Sequence, residues 1–281
     1  MKKTRRLAAS VLVCLSLAAA ALTASAAAPI KVYRDGTEVV TEASPHFVEG
    51  QVMVPLSLAG ELFGQKFGYD EKNRVLTVDR RTAKLAESPD GSLAVTGTEG
   101  RNGMWEDLRL RAGEKEVDLP GKTMGPTGEY APEFASANLT GGAKPDTVIL
   151  LTQGSGTGVY VNEAVVYTAD LERIPLEEAE VAMLKQFNAS FAADGSAAIE
   201  ADGIRTVIPA QRLLTRQADR GRAPSIGSVL RYQVEDGRLT ATAGVQVGMS
   251  EFIGDLKIVY TYANGVLQAG AAAFTPYDEY R

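Results

Sequence analysis

Cysteine, histidine and tryptophan occur once each in these 281 residues. A single thiol closes no intrachain disulfide, and a lone imidazole falls short of the several nitrogen or sulfur ligands that a zinc or copper centre takes. Basic residues are also scarce: 29 lysines and arginines face 35 aspartates and glutamates, a net charge of −6. A chain so charged carries no electrostatic footprint for nucleic acid or anionic lipid. Long apolar runs are missing too, apart from Leu7 to Leu22, which Ser10 and Ser16 interrupt. That run is shorter than the ~20 residues a spanning helix needs.

What stands at the N-terminus is a leader. Lys2, Lys3, Arg5 and Arg6 form a positive n-region, the apolar run follows, and Ala24-Ser25-Ala26 supplies a small-x-small cleavage site. The expectation is a signal peptide over residues 1–26 and a secreted or cell-surface location. Ala8 lacks the bulk a twin-arginine signal carries there, and Val13 before Cys14 does not fit lipidation, so general export is expected. Cleavage removes the only cysteine. It also takes four basic residues from the 29, leaving 25 against 35 acids and a net charge of −10.

Behind the leader, Ile30 and Val32 alternate toward the hairpin turn Asp35-Gly36, and Thr37 to Val40 returns. Phe47 and Val48 open a second hairpin through Glu49-Gly50 into Val52 to Val54. Pro55 suits the first turn of a short helix, with Leu58, Ala59, Leu62 and Phe63 as its apolar stripe and Gly64 as its stop. Phe67 and Tyr69 lead through the turn Asp70-Glu71-Lys72-Asn73 to Val75, Thr77 and Asp79. One helix on a small antiparallel sheet satisfies this pattern.

The V-P-L…A…L-G core, an aromatic, an acidic turn and V-x-T-V over residues 30–79 resemble the copper amine oxidase N-terminal domain. Ser57 and Gly60 depart from the pattern, where longer helix formers are usual. The resemblance implies an exported scaffold or binding module. In the oxidases this module is a metal-free stalk, so neither a copper cofactor nor amine oxidase activity is expected here. His46, between Pro45 and Phe47, reads as a turn or strand residue.

The domain plan is therefore a module over 27–82, a linker over 83–89 and a β-rich domain over 90–281. Asp-Gly or Asn-Gly pairs at 90, 102, 194, 202, 236 and 264 punctuate the last of these. Ser228 to Val234, Leu239 to Val247, Leu256 to Tyr262 and Val266 to Phe274 read as a four-stranded meander. One helix is expected behind Pro175, with Ala179, Met183, Leu184 and Phe187 on one face. The fold class is α+β, mostly β: a small antiparallel sheet with one helix, then a larger β-rich antiparallel domain.

Three segments invite chemistry. Gly154 to Gly158 follows an apolar strand as a phosphate loop does, but Val159-Tyr160-Val161-Asn162 alternates like a strand where a dinucleotide site needs a helix. A hairpin tip is expected. Asn138 to Asp146 resembles the D-x-N/T-G-D-G-x-x-D calcium loops of propeller repeats, yet Asn138 and Gly142 replace two aspartates and Asp146 alone remains. A turn that keeps its shape without metal is expected. Met249 to Asp255 is an apolar, Gly-bounded link that reads as a binding loop or a core plug.

Ser155, Thr157, Tyr160, Glu251 and Phe252 are the candidate ligand-contact residues. No residue is assigned a catalytic, cofactor or metal role. The functional expectation is a non-catalytic envelope scaffold or binding protein, whose partner is a wall polymer or another envelope protein. The alternative is a hydrolase of envelope polymers with two carboxylates about 5–10 Å apart.

Overall fold

The computed structural model describes residues 29–281 apart from 35, 41–42, 64 and 101–102. The expected leader, residues 1–26, lies outside the described residues. The chain divides into two units between Asp79 and Arg80.

The described residues of the first unit form three hairpins and one helix. Strands β1 (Val32–Arg34) and β2 (Thr37–Val39), β3 (His46–Val48) and β4 (Gln51–Met53), and, after helix α1 (Leu56–Phe63), β5 (Lys66–Asp70) and β6 (Val75–Asp79), pair antiparallel within each hairpin. His46 is an exposed strand residue opposite Met53. In α1 the apolar stripe is only partly used: Leu58 is buried, whereas Phe63 is exposed. The unexpected Gly60 has a local reason. A Cβ there would sit 2.9 Å from the Gln65 carbonyl oxygen, which returns close under the helix end.

The second unit begins with a four-stranded antiparallel sheet, β7 (Thr82–Glu87), β8 (Leu93–Glu99), β9 (Trp105–Ala112) and β10 (Lys115–Asp118), in sequential order. Residues 83–89, read from their charge as a linker, thus form mostly strand. Leu85 alternates inward among Arg81, Lys84 and Glu87, and burying that one side chain with Val95 and Leu110 holds the strand in the sheet.

The main sheet follows: β11 (Glu133–Ala137), β12 (Asp146–Gly156), β13 (Val159–Tyr167) with the short β14 (Arg173–Ile174) beside it, then β18 (Ser225–Glu235), β19 (Arg238–Gln246), β20 (Phe252–Ala263), β21 (Val266–Ala269) and β22 (Ala273–Pro276). Helix α2 (Ala179–Gln186) and a small sheet of β15 (Phe187–Phe191), β16 (Ala197–Ala201) and β17 (Ile204–Ile208) come between β14 and β18. Pairing is antiparallel except between β13 and β18, where Tyr160 to Val161 run parallel to Val229 to Leu230.

Asp236-Gly237, Asn264-Gly265 and Asp202-Gly203 all carry positive φ at both residues, so they close two-residue hairpins whose twist matches their strands. The last expected strand is split. Gly270 donates its N–H to the Val259 carbonyl at 2.9 Å, and the chain then returns as β22 along the first half of β20.

The main sheet buries one face throughout. Val148, Val166, Leu239, Ala241, Leu256 and Ile258 pack there against Ala182 and Met183 of α2 and Ile199 of β16. The face of α2 is therefore Ala179, Ala182 and Met183, while Leu184 is exposed and Phe187 already begins β15. On the opposite face Ile149, Leu151, Val165 and Tyr167 meet Val95, Leu108 and Leu110 of the four-stranded sheet. That second cover does not take in β18 to β22, where the same side is polar.

Candidate polar groove on the main sheet

Alternation dictates the composition of the uncovered face. Leu230, Tyr232 and Val234 turn to the core, so Val229, Arg231, Gln233 and Glu235 turn away from it. Thr242 of β19, Asp255 and Lys257 of β20 and Thr275 of β22 join them around a hollow of about 440 Å³. Arg231 pairs with Thr242 and Thr242 with Lys257, so these three residues form a row across three strands. A second hollow of about 350 Å³ shares Asp255 and Thr275 and continues to Tyr277, Asp278, Glu279 and Arg281. Together they make a groove crossing the strands.

Most charges in the groove are held by a neighbour. Lys257 and Gln233 both donate to the Glu235 carboxylate. Tyr277 donates its hydroxyl to Asp255 Oδ1 at 2.7 Å, and burial, then that bond to a carboxylate, push the phenol well above its ordinary value. Arg281 pairs with Asp278 at 2.7 Å. Arg231 differs: its guanidinium lies 4.5 Å from the centroid of the Tyr160 ring and, among the described residues, makes no ion pair or hydrogen bond.

The five candidate contact residues separate. Tyr160 reaches this groove as the platform for Arg231. Phe252 is half-buried against the sheet surface: a Cβ on Gly227 or Gly244 would come within 2.7 Å of its ring. Both glycines thus admit the ring close to the backbone, and Phe252 pairs with Gln246 at the groove's far end. Ser155 and Thr157 stand at the β12–β13 hairpin, where Ser155 donates to Glu129 Oε1 at 3.2 Å and Thr157 is exposed.

Glu251 is no contact residue. It is buried, and its two oxygens accept the N–H groups of Leu214 and Thr215, each at 2.6 Å, and the Tyr280 hydroxyl at 3.0 Å. Of the Met249 to Asp255 link, Glu251 and Ile253 are buried and tie a loop and the C-terminal turn to β20, whereas Met249 is exposed. The Gly154–Gly158 segment is a hairpin tip, with Gly156 opposite Val159. In the calcium-like loop, Asp146 is buried and accepts from Leu139 N–H at 2.9 Å, Thr140 N–H at 2.8 Å and the Thr140 hydroxyl. No group of three or more His, Cys, Asp or Glu fit to hold a metal ion exists among the described residues.

Arg231, Asp255 and Lys257 were not distinguishable beforehand. Their signal is plain two-residue alternation, which every half-covered sheet shows. What sets them apart is that, among the described residues of the second unit, no layer covers β18 to β22, a tertiary fact.

No curated protein and no solved structure matches the chain. One family does match in part, and it runs past the first unit into β7 and β8. Residues 31–100 match the family described as the copper amine oxidase N-terminal domain, and the residues beyond match no family.

Proposed function

We propose that this protein is exported and acts as a non-catalytic binding or scaffold protein of the cell envelope, with the groove over β18 to β22 as its contact surface. The leader pattern over residues 1–26 and the family of residues 31–100 support the location. The observation that carries the binding role is the polar face of β18 to β22, which no layer covers among the described residues; in its first hollow Gln233 and Lys257 hold Glu235, so Asp255 alone there keeps a carboxylate oxygen free. A pair of carboxylates serving hydrolysis needs its oxygens turned to substrate and water.

The test is co-sedimentation of the secreted protein with purified cell wall. The expected results are an N-terminus at Ala27, retention at physiological salt, loss of retention in Thr242→Trp, and no soluble fragments released. Absence of retention on any envelope fraction overturns the envelope role. Release of wall fragments, abolished by Asp255→Asn or Glu235→Gln, turns the reading to a carboxylate-dependent hydrolase.

A further inference from the structure

The groove is polarised along its length. Arg231, at the β13 side, is a cation with no anionic partner among the described residues. Lys257 of β20 and Glu235 of β18 neutralise each other. Toward β22 stand Asp255, whose bond is to the neutral Tyr277 hydroxyl, and Glu279, which line the continuous second hollow. Neither carboxylate has a cationic partner among the described residues. Two strand spacings separate β18 from β20, which is about 10 Å.

We infer that the groove takes a short zwitterionic peptide, with its free carboxylate on Arg231 and its free ammonium at Asp255. The inference rests on the reading of this face as a binding surface and adds the ligand class. The Tyr160 ring orients the guanidinium, so its paired N–H groups meet a carboxylate with little rotamer entropy left to lose. Asp255 keeps one oxygen free after accepting from Tyr277. Asp255 lies two residues along β20 from Lys257, which stands in row with Arg231, so the two charged positions are about 12 Å apart, the span of three to four extended residues. A polyanion fits less well, because the floor already holds two carboxylates and the chain is acidic. A single amino acid is too short to reach both walls.

The test uses triglycine, N-acetyl-triglycine and triglycine amide, with binding followed by amide chemical shifts of the isotope-labelled full chain or its secreted form. Triglycine is expected to shift the resonances of Gln233, Thr242 and Thr275. Blocking either end weakens binding about fivefold, the size of one solvent-accessible ion pair. Arg231→Gln removes the preference for the free carboxylate but keeps the preference for the free amine, and Asp255→Asn does the reverse while still accepting from Tyr277.

Equal binding of the three peptides, no shift in the groove, or an end preference that survives its variant overturns the inference. Failure here separates from failure of the binding role. A protein held by cell wall through a Thr242-sensitive surface but indifferent to triglycine loses only the ligand class, whereas one that binds triglycine and ignores every envelope fraction loses only the envelope role.

Discussion

Asn162 on β13 holds Tyr232 on β18 by both ends of its amide: Nδ2 donates to the Tyr232 carbonyl at 3.1 Å, and Oδ1 accepts the Tyr232 N–H at 2.6 Å. The parallel pairing of these strands has just ended at Val161 and Leu230. One buried side chain thus supplies the two bonds that another strand residue would have made, and keeps the two halves of the sheet joined. Asn162→Ala leaves a buried N–H and carbonyl unpaired, and the expected loss is about 2–4 kcal/mol in urea denaturation. Asn162→Asp keeps the acceptor and sets a carboxylate against the carbonyl. Its deficit relative to wild type should narrow as pH falls and the new carboxyl gains a proton to donate.

Tyrosines on the core side predict the alkaline limit of stability. Burial is the first cause that raises Tyr232, Tyr260, Tyr277 and Tyr280 above the ordinary phenol value, Tyr280 to about 12, with neighbouring carboxylates adding for the last two. Above pH ~10 the unfolded chain loses phenolic protons that the folded chain keeps. The unfolded state then binds fewer protons, so stability falls as pH rises past that point. Tyrosinate absorbance should therefore rise in two stages, exposed residues first and the buried set together with loss of circular dichroism. Tyr260→Phe, which removes only the hydroxyl donated to the Glu177 carbonyl at 2.8 Å, should shallow the alkaline slope while costing about 1 kcal/mol at neutral pH. An unchanged slope would show that this phenol does not set the limit.

Local rules carried the reading of the sequence where contacts are local. Asp236-Gly237 and Asn264-Gly265 announce their own hairpins, and the apolar spacing of Ala179 and Met183 behind Pro175 announces α2. Leu85 shows the limit. Flanked by charges it reads as linker, and only Val95 and Leu110, supplied by strands still to come, make it core. The same holds for Arg231, whose meaning depends on Tyr160 some seventy residues earlier. Glu251 was singled out as a contact and proved an anchor, because its partners Leu214, Thr215 and Tyr280 are distant along the chain.

That anchor has an acid signature. Burial, the largest influence on Glu251, raises its carboxyl, but the bonds from Thr215, Leu214 and Tyr280 together outweigh it, and the folded value lies below the ordinary one. A group lowered on folding contributes its stability above the unfolded value, near 4.3, and loses it as pH falls through the folded value. Glu251→Gln should cost about 1–3 kcal/mol at pH 7. It should also narrow the difference between neutral and pH 3 stability relative to wild type. Equal narrowing in Glu114→Gln, an exposed carboxylate without hydrogen bond or ion pair among the described residues, would mean that acid sensitivity is not a property of the buried anchor.

Asp146 tests what the calcium-like loop has become. Its carboxylate, buried at the start of β12, accepts two backbone N–H groups and the Thr140 hydroxyl, while Asn138 Nδ2 closes the loop on the Gly142 carbonyl at 2.8 Å. Both amides converge on Oδ2 and the Thr140 hydroxyl reaches both oxygens, so the loop offers one carboxylate oxygen where a hard cation takes six or more oxygen ligands. The melting midpoint should therefore be the same in millimolar calcium and in chelator. Asp146→Asn trades the charged acceptor for one amide oxygen and is expected to cost about 1–2 kcal/mol, and Asp146→Ala more, since both N–H groups then lack an acceptor. A calcium-dependent rise in midpoint that Asp146→Asn abolishes would restore the loop as a metal site. A rise that survives the substitution would place the ion elsewhere.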